Sequence, residues 1–168
     1  LIMPSPSYTR ESESLDDFIV RNNVRKELAS RVKEWVKDYC DAISQNYEDY
    51  HIDSLKRNLL SEDGSISEYA KEQLSEIEDG TARLMRFKFK EGRKYYKIIQ
   101  VEFDDRLQQY RNGSVHSFVD KNTGEVYMAA SWSQPAKHVR FDMRIIRERE
   151  LLHTPSFVTW TSAYLYKR

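Results

Sequence analysis

The hydrophobic residues of this chain change their spacing near residue 80, and this change constrains the fold more than any other feature. Up to Asp79 they recur at steps of three and four, which is the period of a helix with one buried face. From Met85 they alternate with polar residues, which is the period of a β-strand. The sequence therefore predicts an α+β fold with N-terminal amphipathic helices, a small antiparallel sheet of about four strands, and a C-terminal helix.

The helical region is predicted to span residues 14–80, after a disordered lead-in over residues 1–13 that is rich in Ser and Pro. Ser14 has the sequence context of an N-cap, and a helix of about six turns follows it. A shorter apolar stripe comes next and is stopped by the turn SEDGS. Ser65 is then predicted to cap a further helix that ends at Gly80.

The sheet region is predicted to span residues 81–168 and to include a C-terminal helix and an aromatic tail. Asn112-Gly113 is a strong turn pair and is predicted to end the connection between the second and third strands. The loop KNTG joins the third and fourth strands, with Gly124 free to take a positive φ. The predicted segments are strands at 85–90, 95–103, 115–120 and 125–129, a helix at 141–152, and a closing strand or packed extended segment after Pro155.

Composition argues against several kinds of site. A single cysteine, Cys40, precludes an internal disulfide, and with only four scattered histidines we expect no metal and no cofactor. No window approaches the roughly 18 apolar residues of a membrane-spanning helix, so we expect no membrane partner.

The net charge is zero, but the two halves of the chain carry opposite excess charges. Residues 1–80 hold 10 Lys and Arg against 18 Asp and Glu, whereas residues 81–168 hold 17 against 9. Such a split indicates separate surfaces with separate partners, or two surfaces that face each other.

Two catalytic arrangements can be drawn, and both fail on geometry. Ser114, His116 and Asp120 share one face of a strand, yet neighbours on one face lie about 6.5–7 Å apart, too far for direct contact. A metal-dependent nuclease needs carboxylates clustered with a lysine, but Lys97 lies on the opposite strand face from Asp104. We therefore expect a binding protein rather than an enzyme, with a hydrolase or nuclease as the third alternative.

Basic and aromatic residues interleave in the second half of the chain, which favours a phosphate-bearing ligand. Basic side chains neutralise phosphates, and exposed rings stack on bases for about 1–3 kcal/mol each. Trp132 is the favoured ring, because its small neighbours in AASWSQPA let a ligand approach closely. The alternative is that the rings form the core and the lysines only solvate the sheet. The basic residues are Arg83, Arg86, Lys88, Lys90, Arg93, Lys94 and Lys97 in the first hairpin, and Lys137, His138, Arg140, Arg144, Arg147 and Arg149 after Pro135.

The stretch SVHSFVDKNTGEVYMAASWSQPAKHVRF and the ending YLYKR resemble a group of small uncharacterised proteins of tailed bacteriophages. That group shares the pattern VH-F-VD--TG-VY-AASW--PAK--R and an aromatic YLY ending. The resemblance covers residues 95–168 and omits the helical region; Met128 stands where the pattern has a basic residue. The group has no established function, so the resemblance implies a setting, the cytoplasm of an infected bacterium or a virion, rather than a reaction.

The sequence as a whole predicts a non-enzymatic phage accessory protein that binds single-stranded nucleic acid or a nucleotide on a basic, aromatic sheet face. The alternative is a protein–protein inhibitor of host machinery, or a structural virion component, acting through the helical region; self-association is also open. The candidate ligand-binding residues are Trp132, Lys137, Arg140, His138, His116, Lys121 and Tyr127.

Overall fold

The computed structural model describes residues 13–166 and confirms the α+β fold. Almost all of the predicted lead-in, residues 1–12, lies outside the described residues. No helix in this described part is long and apolar enough to cross a membrane. In chain order the elements are α1 (Leu15–Arg57), α2 (Glu68–Asp79), β1 (Arg86–Glu91), β2 (Tyr95–Asp104), β3 (Gln109–Asp120), β4 (Glu125–Met128), β5 (Phe141–Asp142), α3 (Ile146–Leu152) and a 3-10 turn (Ala163–Leu165).

Helix α1 is a single helix of 43 residues, longer than the six turns predicted. Ser14 caps it as expected, since its hydroxyl oxygen accepts the backbone N–H of Asp17 at 3.1 Å. No glycine or proline interrupts the sequence from Leu15 to Arg57, so the two predicted apolar stripes join into one helix. At 1.5 Å per residue α1 is about 65 Å long.

Helix α2 begins two residues later than predicted. The cap is Ser67, whose hydroxyl oxygen accepts the backbone N–H of Ala70 at 3.2 Å. Ser65 is not the cap, because its hydroxyl and its backbone N–H both donate to the Asp63 carboxylate. Gly80 ends the helix at a φ of +79°, as the sequence predicted.

The sheet is antiparallel and its five strands follow chain order, β1-β2-β3-β4-β5. The Asn112-Gly113 pair does not form the predicted turn, because it lies inside β3, beside a shift in the β2–β3 register. The chain reverses earlier, where the Asp104 carboxylate accepts the backbone N–H groups of Arg106 and Leu107. A local carboxylate-stabilised turn therefore replaced the turn expected from the stronger dipeptide signal.

The β3–β4 hairpin forms where the sequence placed it. The Asp120 carboxylate accepts the N–H groups of Asn122 and Thr123, and Gly124 takes a φ of +80°. The C-terminal helix was predicted too long: Phe141 and Asp142 form β5 on the edge of β4, and α3 starts only at Ile146. Burial of Phe141, which is 3% exposed, favours the strand over a first helical turn.

One core joins the helical region to the sheet. The buried side of α1 packs against one face of the sheet, and the aromatic tail closes the same core. The opposite sheet face, called the outer face below, carries the alternate side chains of the same strands. The buried core residues are Val32, Val36, Tyr39, Cys40, Ala42 and Ile43 of α1, Met85, Phe87, Tyr96, Ile98, Val119, Val126 and Phe141 of the sheet and its approach, and Met143, Leu152, Val158 and Leu165.

Helix α1 is hydrogen-bonded to the exposed edge of the sheet through Ser44. The Phe87 N–H of edge strand β1 donates to the Ser44 hydroxyl at 2.9 Å, and that hydroxyl lies 3.4 Å from the Phe87 carbonyl. Ser44 is buried, so the bond replaces the water that an edge N–H would otherwise bind.

We expect Ser44→Ala to lower the free energy of unfolding by about 1–3 kcal/mol, because a buried N–H of Phe87 loses its acceptor. Urea denaturation measures this. Ser30→Ala, at an exposed position of α1, is the matched control, because it reports the gain in helix propensity alone. Equal midpoints for the two variants would contradict the role of Ser44.

Candidate anion-binding site

The outer face carries a row of side chains that crosses four strands at one level. Lys90 of β1 stands directly opposite Lys97 of β2, Lys97 opposite Phe118 of β3, and Phe118 opposite Tyr127 of β4. Cross-strand partners project from the same face, so the row places two ammonium groups beside two rings. Strand alternation alone generates this arrangement.

Lys97 lies between two aromatic rings. Its ammonium nitrogen is 4.5 Å from the centroid of the Trp132 ring and 5.9 Å from that of Phe118. Tyr95 contacts both Phe118 and Tyr127 edge to face, with centroids 5.9 Å apart in each pair. Trp132 itself is 47% exposed, so it covers the lysine and still presents surface to solvent. The outer face thus combines a ring-held cation with an accessible indole.

A cavity of about 220 Å³ opens beside this row, at the β1–β2 turn. Four cations and one carboxylate line it, together with two rings and two small residues. The lining residues are Lys90, Glu91, Gly92, Arg93, Lys94, Tyr95, Lys97, Phe118 and Ser133.

The Glu91 carboxylate interacts with cations that do not line the cavity. The Glu91 carboxylate accepts a hydrogen bond from the Lys121 ammonium at 2.9 Å and lies 3.7 Å from the Lys33 ammonium. The Lys121 hydrogen bond and charge, with a smaller contribution from Lys33, lower the pKa of Glu91. Glu91 therefore stays ionised, with its charge directed toward Lys121 and Lys33.

Six basic residues of the first hairpin form no salt bridge within the part of the chain that the structure describes. These residues are Arg86, Lys88, Lys90, Arg93, Lys94 and Lys97. Two lysines standing opposite each other on neighbouring strands repel, which costs stability. A bound anion would remove that cost.

The other predicted ligand-binding residues take different places. Tyr127 belongs to the row, whereas the Lys121 ammonium is bound to Glu91 and to the Gly92 carbonyl. Lys137 and His138 are exposed in the loop after Pro135, where His138 has a φ of +74°. Arg140 is half-buried, and its backbone N–H donates to the Val126 carbonyl. The Lys97 ammonium contacts the indole, and the sequence did not predict this contact.

His116 does not lie on the outer face. A register shift in the β2–β3 pairing breaks the strand alternation, so both His116 and Ser117 are buried on the helix side. Ser114 is exposed and the Asp120 carboxylate accepts backbone N–H groups, so the catalytic line drawn through these residues does not form. Among the residues described, no group of three or more His, Cys, Asp or Glu is placed to hold a metal.

His116 instead belongs to a buried hydrogen-bond chain that links three parts of the fold. Its Nε2–H donates to the Thr159 carbonyl at 3.2 Å, which leaves Nδ1 to accept from the Ser117 hydroxyl at 2.9 Å. The Ser117 hydroxyl in turn accepts from the Tyr39 hydroxyl at 3.2 Å, and Tyr39 is bonded to Tyr164. Burial lowers the pKa of His116 to about 4, although the bond to Thr159 opposes the shift.

We expect the protein to lose stability in acid through His116. The unfolded chain binds this proton near pH 6.5 and the folded chain only near pH 4, so stability is full above pH 6.5 and falls as the pH drops toward 4. The loss at pH 4 is about 3 kcal/mol. In His116→Gln the unfolding free energy, measured in urea, should depend less on pH over this range. His138→Gln, in the exposed loop, is the control, and the same pH profile in all three proteins would contradict the assignment.

The sequence indicated Trp132 and Tyr127 as candidates but not the residues that contact them, Lys97 and Tyr95. Lys97 was named only among the basic residues of the first hairpin, and Tyr95 and Phe118 were not candidates. Tyr95, Lys97 and Phe118 share one sheet face because they occupy alternate positions on paired strands. Predicting this from the sequence requires the register of β2 against β3.

Comparisons with known proteins give a family but no activity. Residues 15–167 match a family described as a family of unknown function, DUF7717. No curated protein and no solved structure matches the chain. Because the match spans nearly the whole sequence, the chain belongs to this family of unknown function.

Proposed function

We propose that this protein binds a phosphate-bearing ligand, single-stranded nucleic acid or a nucleotide, on the outer face of its sheet, without catalysing a reaction on it. The observation that supports the proposal most directly is the placement of Lys97. Its ammonium lies between Trp132 and Phe118, opposite the ammonium-bearing Lys90, at the wall of an open cavity.

Electrostatics favours an anion at this cavity. Lys90, Lys94 and Lys97 contribute three positive charges on one side of a short turn, and the Glu91 charge is already compensated. Lysine binds phosphate as a point charge, and a phosphate placed between two lysines relieves their repulsion. The free face of Trp132 then offers a stacking surface to a base next to the bound phosphate. An infected bacterial cell, implied by the phage resemblance, is the setting we propose for this binding.

We expect a labelled oligonucleotide to bind at low salt and to weaken steeply as salt rises, with a log–log slope of about −0.7 per phosphate neutralised. Lys97→Ala should weaken binding about tenfold, the loss of about 1.4 kcal/mol. Lys26→Ala, at an exposed position of α1, removes the same charge elsewhere and should leave binding unchanged. Fluorescence anisotropy measures all three proteins. No binding even at low salt would exclude a nucleic-acid ligand.

Trp132→Ala should weaken the same binding while the thermal midpoint stays nearly unchanged, because the side chain is 47% exposed. A buried tryptophan would instead cost about 3–5 kcal/mol on truncation. Thermal unfolding followed by circular dichroism separates the two cases. A large fall in the midpoint would show that the indole supports the fold rather than a ligand.

A second candidate function, contact with another protein through the helical region, is favoured by the first third of α1. Here apolar side chains face solvent before the helix reaches the core at Leu28. The exposed residues are Leu15, Phe18, Ile19, Val20 and Val24. Val20 and Val24 lie four residues apart on one side of the helix. Exposed apolar side chains of this kind are typical of a helix that packs on another helix, and a second copy of the chain is the simplest partner.

We expect native mass spectrometry to show a dimer that the double variant Val20→Glu/Val24→Glu dissociates, because charged side chains oppose burial of the helix side that carries these two residues. A variant of two exposed polar positions, Asn23→Glu/Ser30→Glu, adds the same charge nearby and should keep the dimer. A monomeric wild-type protein would exclude a second copy of the chain as the partner.

A further inference from the structure

The positive charge of the outer face continues beyond the cavity along edge strand β1. Arg86, Lys88 and Lys90 occupy alternate positions and so project from one side of the strand, the side that also carries Lys97. Lys90 lines the cavity, while Arg86 and Lys88 lie past it. At about 3.3 Å per residue the three residues span roughly 13 Å of strand. We call this set the β1 row.

We propose that the ligand is a single strand of several nucleotides, which places one phosphate in the cavity and continues along the β1 row toward Arg86. This inference rests on the proposed function and narrows it: a mononucleotide would fill the cavity and leave the β1 row without a ligand.

The size of the cavity supports a strand. Pockets that enclose a whole small molecule usually measure about 300–1,000 Å³. The cavity here measures about 220 Å³ and opens to solvent beside Lys90 and Lys97, so it holds part of a ligand while the rest of the ligand extends outside. A backbone that carries one phosphate per nucleotide suits cations that repeat along a strand.

The position of β1 in the sheet leaves room for that backbone. β1 is the first strand of the sheet, paired with β2 alone, and within residues 13–166 no carboxylate forms a salt bridge with the β1 row. Ser44 holds this edge strand against α1, so the row is presented on an anchored strand. A strand whose backbone is fixed in place presents its cations to a polyanion with less loss of backbone freedom.

The exposed indole favours a single strand over a duplex. Trp132 stacks on a base only if the face of that base is free, and bases in a duplex are already stacked on one another. The small cavity next to it accepts a phosphate of a flexible backbone more readily than that of a stiff double helix.

A length series tests the inference. The probes are thymidine monophosphate and labelled oligothymidylates of two to about 16 nucleotides, which reach the upper end of the site sizes known for single-strand binders. Wild-type affinity should rise with length and level off once the strand covers the β1 row. Lys88→Gln should lower the affinity for the longest strand about fivefold and reduce its salt slope by about one phosphate. The same change should leave the affinity for thymidine monophosphate unaltered.

Lys97→Ala is expected to weaken binding of both the monophosphate and the longest strand, because Lys97 belongs to the cavity. Lys71→Gln, an exposed position of α2, is the matched control for Lys88→Gln. Equal affinity for the monophosphate and the longest strand would overturn the inference and leave the proposed function standing. Equal affinity for a duplex of the same length would also overturn it. Absence of binding to every probe at low salt would overturn both.

Discussion

Burial of one sheet face beneath α1 is the constraint from which the rest of the structure follows. The apolar side chains of α1 cover Phe87, Ile98 and Val119, and strand alternation then sends the neighbouring side chains to the outer face. In β1 those neighbours are all basic. Because the apolar side chains of β1 face the core, its basic side chains lie on the outer face. The candidate site is therefore on the sheet face opposite the core.

The way in which Lys97 is held explains how the charge remains available. A lysine paired with a carboxylate is neutralised by a partner that an incoming anion must displace. The rings of Trp132 and Phe118 attract the ammonium through their negative faces without cancelling its charge. Glu91, the one acid at the cavity, interacts with Lys121 and Lys33 instead. Because Glu91 is paired with Lys121 and Lys33, it does not compete with a phosphate for the Lys97 ammonium.

Much of the fold was predictable from the sequence, because it depends on local signals. The period change, the Ser14 cap, Gly80 and the KNTG hairpin each act within a few residues. The failures at Ser65, Asn112-Gly113 and Phe141 share one cause: a competing partner, Asp63, β2 or β4, decided the outcome. The contact between Lys97 and Trp132 was missed because it joins β2 to the segment after β4, which come together only in the folded chain. His116 was misplaced because the pairing shifts between Val115 and Ser117, which breaks the strand alternation at His116.

The hydrogen bonds that join α1 to the aromatic tail also determine when the fold can form. Tyr39 and Tyr164 are 125 residues apart, and Asn46 bonds both the Pro155 carbonyl, 109 residues away, and the Trp160 N–H, 114 residues away. Such pairings must overcome the entropy of closing a very long loop, which slows folding. Helix α1 can form early from its own sequence, yet the part of its apolar side that packs against the aromatic tail stays uncovered until the far end of the chain has been synthesised. Chaperone binding during that interval would protect it.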